Sequence, residues 1–148
     1  MLASPPFDYI GFKGTYASED STLVNAVSSI FSNSFGTNPN TNKPYKLGTQ
    51  KIQQRLKSTD YLFLAINSEG THIGYLYGRK IMYSGNLVGW IDSVAVLPPY
   101  RRKGVGTQLL TNFVAYLARA RWLGCATPNP VTVLVVTKVA KEAVFSGE

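Results

Sequence analysis

Residues 87–123 read LVGWIDSVAVLPPYRRKGVGTQLLTNFVAYLARARWL. The segment Leu87–Val96 is rich in β-branched and aromatic residues, which predicts a strand. Pro98 and Pro99 end this strand, because proline has no N–H to donate to a ladder. From Thr107 onward the apolar residues recur at helical spacing and predict a helix. A strand, a basic turn and a helix therefore follow one another.

The turn between the two elements contains Arg101-Arg102-Lys103-Gly104-Val105-Gly106. The first N–H groups of a helix have no intrahelical partner, and the helix dipole places partial positive charge beside them. Gly104 and Gly106 allow the backbone to approach a ligand closely, since they carry no Cβ. With the flanking strand and helix, this combination favours a phosphate or pyrophosphate site over a solvated turn that only connects two elements.

Two common phosphate-binding loops are excluded by the residues around these glycines. A Walker loop requires Lys-Ser or Lys-Thr directly after its last glycine, and the chain has Thr107 after Gly106. The dinucleotide fingerprint requires a third glycine where the chain has Leu109. The remaining pattern is Arg-x-x-Gly-x-Gly, formed by Arg101, Gly104 and Gly106.

This pattern resembles the GNAT superfamily of acetyl-CoA-dependent N-acetyltransferases. The resemblance begins upstream at Ile91, passes through Pro98 and Tyr100, and continues downstream through Leu109-Leu110. It implies an α/β (α+β) fold with a mixed β-sheet that is antiparallel in its first half. A central parallel pair would be joined by a crossover helix, with helices on both faces of the sheet. Residues 1–148 would form a single domain.

The rest of the chain supplies elements in the order that this fold requires. The predicted elements are a strand Phe7–Phe12, a helix Thr22–Phe35 capped by Ser18 or Ser21, a loop Gly36–Tyr45, a helix Thr49–Lys57, a hairpin of Tyr61–Asn67 and His72–Met82, a strand Val131–Thr137 parallel to the central one, and a last helix Lys138–Phe145. Members of the family continue with two more strands, so the domain is expected to be short at its C-terminus. Truncation, a smaller sheet and completion by a second copy in a homodimer all remain open.

The resemblance implies that acetyl-CoA is the acyl donor. Backbone N–H groups of Arg102–Thr107 would hold its pyrophosphate, and the central strand would pair with its pantetheine arm. The implied cofactor-binding residues are Val94, Ala95, Val96, Arg101, Arg102, Lys103, Gly104, Val105, Gly106 and Thr107. No metal site is predicted.

Asp92 is the only carboxylate on the central strand and is the candidate general base. The alternative is that Asp92 only pairs with a neighbouring basic residue. His72, Tyr75 and Tyr77 lie on a neighbouring strand and are further candidates. Many family members use a tyrosine of the last helix as general acid, but no tyrosine follows Tyr116 in this sequence. The general acid is therefore not predicted.

Composition limits the other functions. Hydrophobic residues at 45% and charged residues at 16% describe a folded globular chain, and no apolar run is long enough for a membrane span. A single cysteine and the lack of a secretory signal predict a cytoplasmic protein. The net charge of +7 favours anionic partners. The predicted function is acetyl transfer to a small-molecule or protein primary amine by direct attack. A non-catalytic acyl-CoA-binding module and a nucleic-acid-binding domain are the alternatives.

Overall fold

The structure is a computed structural model that describes residues 6–35, 37–44, 47–83, 85–124 and 134–137. Its main sheet has five strands in the order β1-β4-β5-β6-β7, and a separate two-stranded sheet pairs β2 with β3. The first four strands of the main sheet are antiparallel, and β7 pairs with β6 in parallel. This is the mixed sheet that the resemblance implies. The elements, in chain order, are β1 (Phe7–Lys13), α1 (Gly14–Ser18), α2 (Ser21–Ser34), β2 (Thr37–Asn38), β3 (Lys43–Pro44), α3 (Thr49–Lys57), β4 (Tyr61–Asn67), β5 (His72–Tyr83), β6 (Asn86–Val96), a 3₁₀ turn (Pro98–Tyr100), α4 (Val105–Gly124) and β7 (Leu134–Thr137).

Several predictions differ from the observed elements in detail. The N-cap of α2 is Asp20, whose carboxylate accepts hydrogen bonds from two backbone N–H groups of the first turn, so the assignment to Ser18 or Ser21 was wrong. The short helix α1 was not predicted, because five residues are too few to show helical periodicity. The predicted loop 36–45 contains the two short strands β2 and β3. The predicted last helix, 138–145, lies outside the described residues.

Helices cover both faces of the sheet and bury a hydrophobic core on each. The apolar side of α4, which includes Leu109, Phe113 and Leu117, packs with one set of strand residues. Helices α2 and α3 pack with the other set through residues such as Val27 and Ile52. No helix in the described part of the chain combines the length and hydropathy that crossing a bilayer requires.

Strand β6 contains a β-bulge that reverses which residues face each core. Tyr77 of β5 lies opposite Ser93 and Gly78 lies opposite Ile91, so Asp92 is the extra residue. Val94 and Ile91 both belong to the core beneath α4. The two residues between them therefore share the other face. Counted back from Val94, regular alternation would have turned Asp92 towards α4, so the bulge is what lets Asp92 and Val94 face opposite cores.

Gly78 lies at this bulge and has no room for a side chain. A Cβ at this position would lie 2.5 Å from the carbonyl oxygen of Trp90 and 2.9 Å from Cζ of Phe113. We expect Gly78→Ala to lower the free energy of unfolding by about 1–3 kcal/mol, because a backbone carbonyl has to move. Urea denaturation measures this. Gly48→Ala is the control, since nothing lies within 4 Å of its Cβ, and an equal loss in both variants would contradict the prediction.

Candidate active site

The carboxylate of Asp92 lies on the α3 side of the sheet, close to the side chains of Arg79 and Thr59. Its Oδ1 is 3.5 Å from Nη2 of Arg79, and its Oδ2 is 3.3 Å from the hydroxyl of Thr59. The Thr59 hydroxyl also donates to the carbonyl of Gly78 at 2.8 Å, which fixes it beside the bulge. Asp92 is 15% exposed at its side chain. The contacts with Arg79 and Thr59 thus hold the carboxylate in place, while part of it remains accessible to solvent.

The side chain of Asp92 lines a cavity of about 180 Å³ between α3 and the sheet. Its lining residues are Arg55, Ser58, Tyr77, Arg79 and Asp92. The hydroxyl of Ser58 donates to the carbonyl of Arg55 at the end of α3. The cavity therefore combines one carboxylate with two guanidinium groups and a phenol.

Two tyrosines of β5 form the buried wall behind this cavity. Tyr75 is fully buried, and its hydroxyl is 2.7 Å from Oγ of Ser93. Burial raises the pKa of both Tyr75 and Tyr77, more than the positive charge of nearby Arg55 lowers it. Both phenols are therefore protonated at neutral pH, and Tyr77 is a hydrogen-bond donor beside Asp92.

Raised tyrosine pKa values make the fold sensitive to alkali. The folded chain keeps both phenolic protons, whereas tyrosines of the unfolded chain ionise near pH 10, so stability is lost as pH rises above about 10. Each such group contributes a slope of up to about 1.4 kcal/mol per pH unit. We expect Tyr75→Phe to flatten the fall in unfolding free energy between pH 9 and 11.5. Denaturation at several pH values measures it, with exposed Tyr16→Phe as control; an unchanged slope in Tyr75→Phe would contradict it.

Next to the bulge, β6 has a section that pairs on one side only among the described residues. Its pairing with β7 covers Val88 to Ile91, and no described strand pairs with Ser93–Val96 on that side. The side chains of Val94, Ala95 and Val96 are all fully buried in the two cores. Only the backbone of this section is available to a ligand.

Beyond Val96 the chain enters the basic turn, which one arginine fixes in place. Nε of Arg101 donates to the carbonyl of Val96 at 2.9 Å, and its Nη2 donates to the carbonyl of Ser34 at 2.7 Å. The Arg101 side chain therefore ties the turn to β6 and to the end of α2. Its guanidinium acts on the shape of the turn, while Arg102 and Lys103 are exposed.

The backbone of the basic turn passes twice through the left-handed region. Arg102 and Gly104 have φ of 63° and 79°, in the left-handed region. Nothing lies within 4 Å of a Cβ built on Gly104, so the space above the turn is open. Helix α4 begins at Val105, whose side chain is buried, and continues through Gly106 and exposed Thr107.

The sequence profile of the acetyltransferase (GNAT) family matches residues 24–136. The chain belongs to this family. GNAT proteins are acetyltransferases that use acetyl-CoA. No curated protein sequence matches the chain.

Solved structures with this fold include several acetyltransferases of low sequence identity. An aminoglycoside acetyltransferase from an uncultured soil metagenomic sample, in complex with sisomicin, has a TM-score of 0.64 at 15% identity, covering 95% of this chain and 82% of its own. Aminoglycoside N-acetyltransferase AAC(6')-Iy, in complex with CoA, has a TM-score of 0.60 at 15% identity, covering 99% and 85%. A fungal multi-domain β-N-acetylglucosaminidase with a glucosamine N-acetyltransferase region has a TM-score of 0.62 at 20% identity. The match covers 78% of this chain and 12% of the fungal one.

The positions of the residues in the GNAT fold distinguish between the alternative candidates for the general base. Tyr77 lines the cavity with Asp92, whereas His72 begins β5 and lies five residues from Tyr77, roughly 17 Å along the strand. Partial burial lowers the pKa of His72, which keeps it neutral. A nucleic-acid-binding domain would need exposed aromatic side chains on which bases stack, but Tyr75 and Tyr77 are 0% and 1% exposed. They cannot stack on bases without unfolding of the sheet.

The sequence did not predict that Arg55 and Arg79 line the cavity beside Asp92. Arg79 shares its strand parity with Tyr75 and Tyr77, so alternation along β5 contained a signal for its direction. Arg55 lies on α3, and nothing in the sequence relates that helix to Asp92. The described residues contain no group of three His, Cys, Asp or Glu side chains that could hold a metal ion.

Proposed function

We propose that this chain uses acetyl-CoA to acetylate a primary amine held beside Asp92. The observation that carries the proposal is the arrangement along β6. A bulge places Asp92 in a cavity, the open section Ser93–Val96 follows it, and the basic turn Arg101–Gly104 lies at the end. These three features adjoin in the order in which an acceptor amine, an acyl arm and a pyrophosphate would be needed.

The basic turn fits a pyrophosphate. Exposed Arg102 and Lys103 supply positive charge, and the N-terminus of α4 adds its dipole. Gly104 leaves the approach to the backbone open because it has no side chain. Its positive φ is one that other residues adopt only with strain. Arg101 holds the turn against β6 and α2, so the anion site is formed before a ligand binds.

When bound, acetyl-CoA supplies an activated acetyl thioester. Val94 and Val96 offer it backbone groups only, since their side chains are in the core. Asp92 lies two residues before Val94, about 7 Å along the strand, which is a suitable distance for an acceptor amine between them. The Asp92 carboxylate accepts the proton that the amine must lose, directly or through a water.

The lining of the cavity favours direct transfer to the amine. Among the described residues, the lining contains no cysteine or histidine, and its one aliphatic hydroxyl, that of Ser58, donates to the backbone at the end of α3. A covalent acyl-enzyme needs a nucleophile activated by an adjacent base. The residues present instead hold an amine next to a carboxylate.

Calorimetric titration with acetyl-CoA, followed by an assay of thiol release with a panel of primary amines, tests the proposal. We expect a dissociation constant in the range of about 1 µM to 1 mM and acetylation of at least one amine. A folded chain that does not bind acetyl-CoA would overturn the proposal. Binding without turnover of any amine would support the non-catalytic acyl-CoA-binding module instead.

A further inference from the structure

The cavity beside Asp92 carries more positive than negative charge. Arg55 and Arg79 contribute two guanidinium groups, and Asp92 contributes one carboxylate. Asp92 pairs with Arg79 at 3.5 Å, and one carboxylate cannot compensate two guanidinium groups, so the described lining residues carry a net positive charge. A cavity that only had to bind an ammonium group would not need two arginines.

Two buried hydrogen-bond donors in this cavity have no acceptor. Nε of Arg79 and the hydroxyl of Tyr77 are both inaccessible to solvent, and neither makes a hydrogen bond of good geometry in the described part of the chain, although Arg55 and Ser93 lie close enough to Tyr77 to affect its pKa. Tyr77 is 1% exposed, so its phenol cannot turn to solvent. Leaving a buried donor unsatisfied destabilises the folded chain, because the donor has lost its hydrogen bond to water. An oxygen atom of a ligand would remove that destabilisation.

We propose that the acceptor amine also carries an oxyanion, which Arg55, Arg79 and Tyr77 bind while Asp92 receives the ammonium group. This rests on the proposed function. The planar fork of an arginine matches a carboxylate or a phosphate through two parallel hydrogen bonds. A ligand with both charges can exchange partners with the pair Arg79–Asp92, so no charge is left unpaired in the cavity.

The same charges disfavour polycationic acceptors. Each additional ammonium group of an aminoglycoside would face Arg55 or Arg79 without a second carboxylate in the cavity to compensate it. The substrate class of this chain therefore differs from that of the structurally similar protein solved with sisomicin. An amino acid is the simplest amine that meets the requirement.

Matched pairs of amines test the inference. Thiol release is measured for L-amino acids beside their carboxamides, for phosphoethanolamine beside ethanolamine, and for sisomicin. We expect the oxyanion-bearing member of at least one pair to have a kcat/KM at least tenfold higher than its neutral match, and sisomicin to be poor. The pair that shows the preference distinguishes a carboxylate from a phosphate. Equal rates within every pair, or sisomicin as the best acceptor, would overturn the inference.

Variants of Arg55 and Arg79 test whether these two residues cause the preference for amines that carry an oxyanion. Arg55→Gln lies on an exposed helix position and is expected to reduce the tenfold preference to less than threefold, with KM raised more than kcat is lowered. Arg79→Lys keeps the charge beside Asp92 but loses the fork, and should weaken the preference as well. Lys57→Gln removes an equal charge from the same helix outside the cavity and is the control. An unchanged preference in Arg55→Gln and Arg79→Lys would count against the assignment.

A binding measurement separates this inference from the proposed function. Ligand-observed NMR compares each amino acid with its carboxamide in the absence of acetyl-CoA. If acetyl-CoA fails to bind but the amino acid binds in preference to its carboxamide, the proposed function falls and the oxyanion site remains. If acetyl-CoA binds and neutral amines are acetylated equally well, the function remains and the oxyanion site falls.

Discussion

Replacing Gly104 with glutamate is expected to weaken acetyl-CoA binding by at least about a hundredfold, or roughly 2.7 kcal/mol. The new carboxylate would project into the open space above the turn, where the proposed pyrophosphate binds. Its charge would repel the phosphates and neutralise one of the neighbouring cations. The positive φ of 79° adds strain to any side chain at this position. Calorimetric titration beside the wild-type chain measures the loss.

Gly85→Glu is the matched control for this variant. Gly85 has a similar φ of 77° and nothing within 4 Å of its Cβ, but it lies in the turn before β6, at the end of that strand away from the basic loop. The strain and the added charge are therefore the same, and only the location differs. Gly85→Glu should bind acetyl-CoA within about threefold of wild type. If both variants lose binding equally, general destabilisation explains the result and the loop assignment is wrong.

Asp92→Asn is expected to lower kcat/KM for the best amine by about 10²–10⁴-fold. Asparagine has nearly the same shape but cannot accept the proton of the ammonium group. Its amide would also face Nη2 of Arg79 without a negative charge. Since Asp92 lies outside the proposed cofactor site, the dissociation constant of acetyl-CoA should change less than about threefold. Steady-state kinetics and calorimetry measure the two effects separately.

The loss should also depend on pH in a way that a structural role would not produce. If Asp92 is the base, the acidic limb of the kcat/KM profile disappears in Asp92→Asn. Asp8→Asn, at an exposed position on β1, controls for loss of a carboxylate elsewhere. Activity within threefold of wild type in Asp92→Asn would restrict Asp92 to its pairing with Arg79 and Thr59. The base would then have to be sought elsewhere.

The strand, turn and helix of residues 87–123 were predictable because each depends on local sequence. Pro98 ends β6, the apolar residues of α4 recur at helical spacing, and two glycines mark the turn. The family pattern Arg-x-x-Gly-x-Gly could be recognised because its residues are also close together in the sequence. Boundaries changed by a few residues, and α4 begins at Val105 instead of Thr107. The role of Arg101 was not predictable, because its acceptors at Val96 and Ser34 come from two other elements.

The mixed sheet of the GNAT fold, and the basic Gly-x-Gly turn that follows its central strand, could be predicted from the sequence alone. Those features follow from hydrophobic periodicity, from the restricted φ of proline and from glycine spacing, all of which act over a few residues. Only the tertiary structure decided what surrounds Asp92. The bulge opposite Tyr77 and Gly78 depends on how two strands pair, and it shifts the alternation of β6 by one residue. Through that shift, Asp92 and Val94 face opposite cores, and the carboxylate of Asp92 lies in the cavity that contains Arg55 and Arg79.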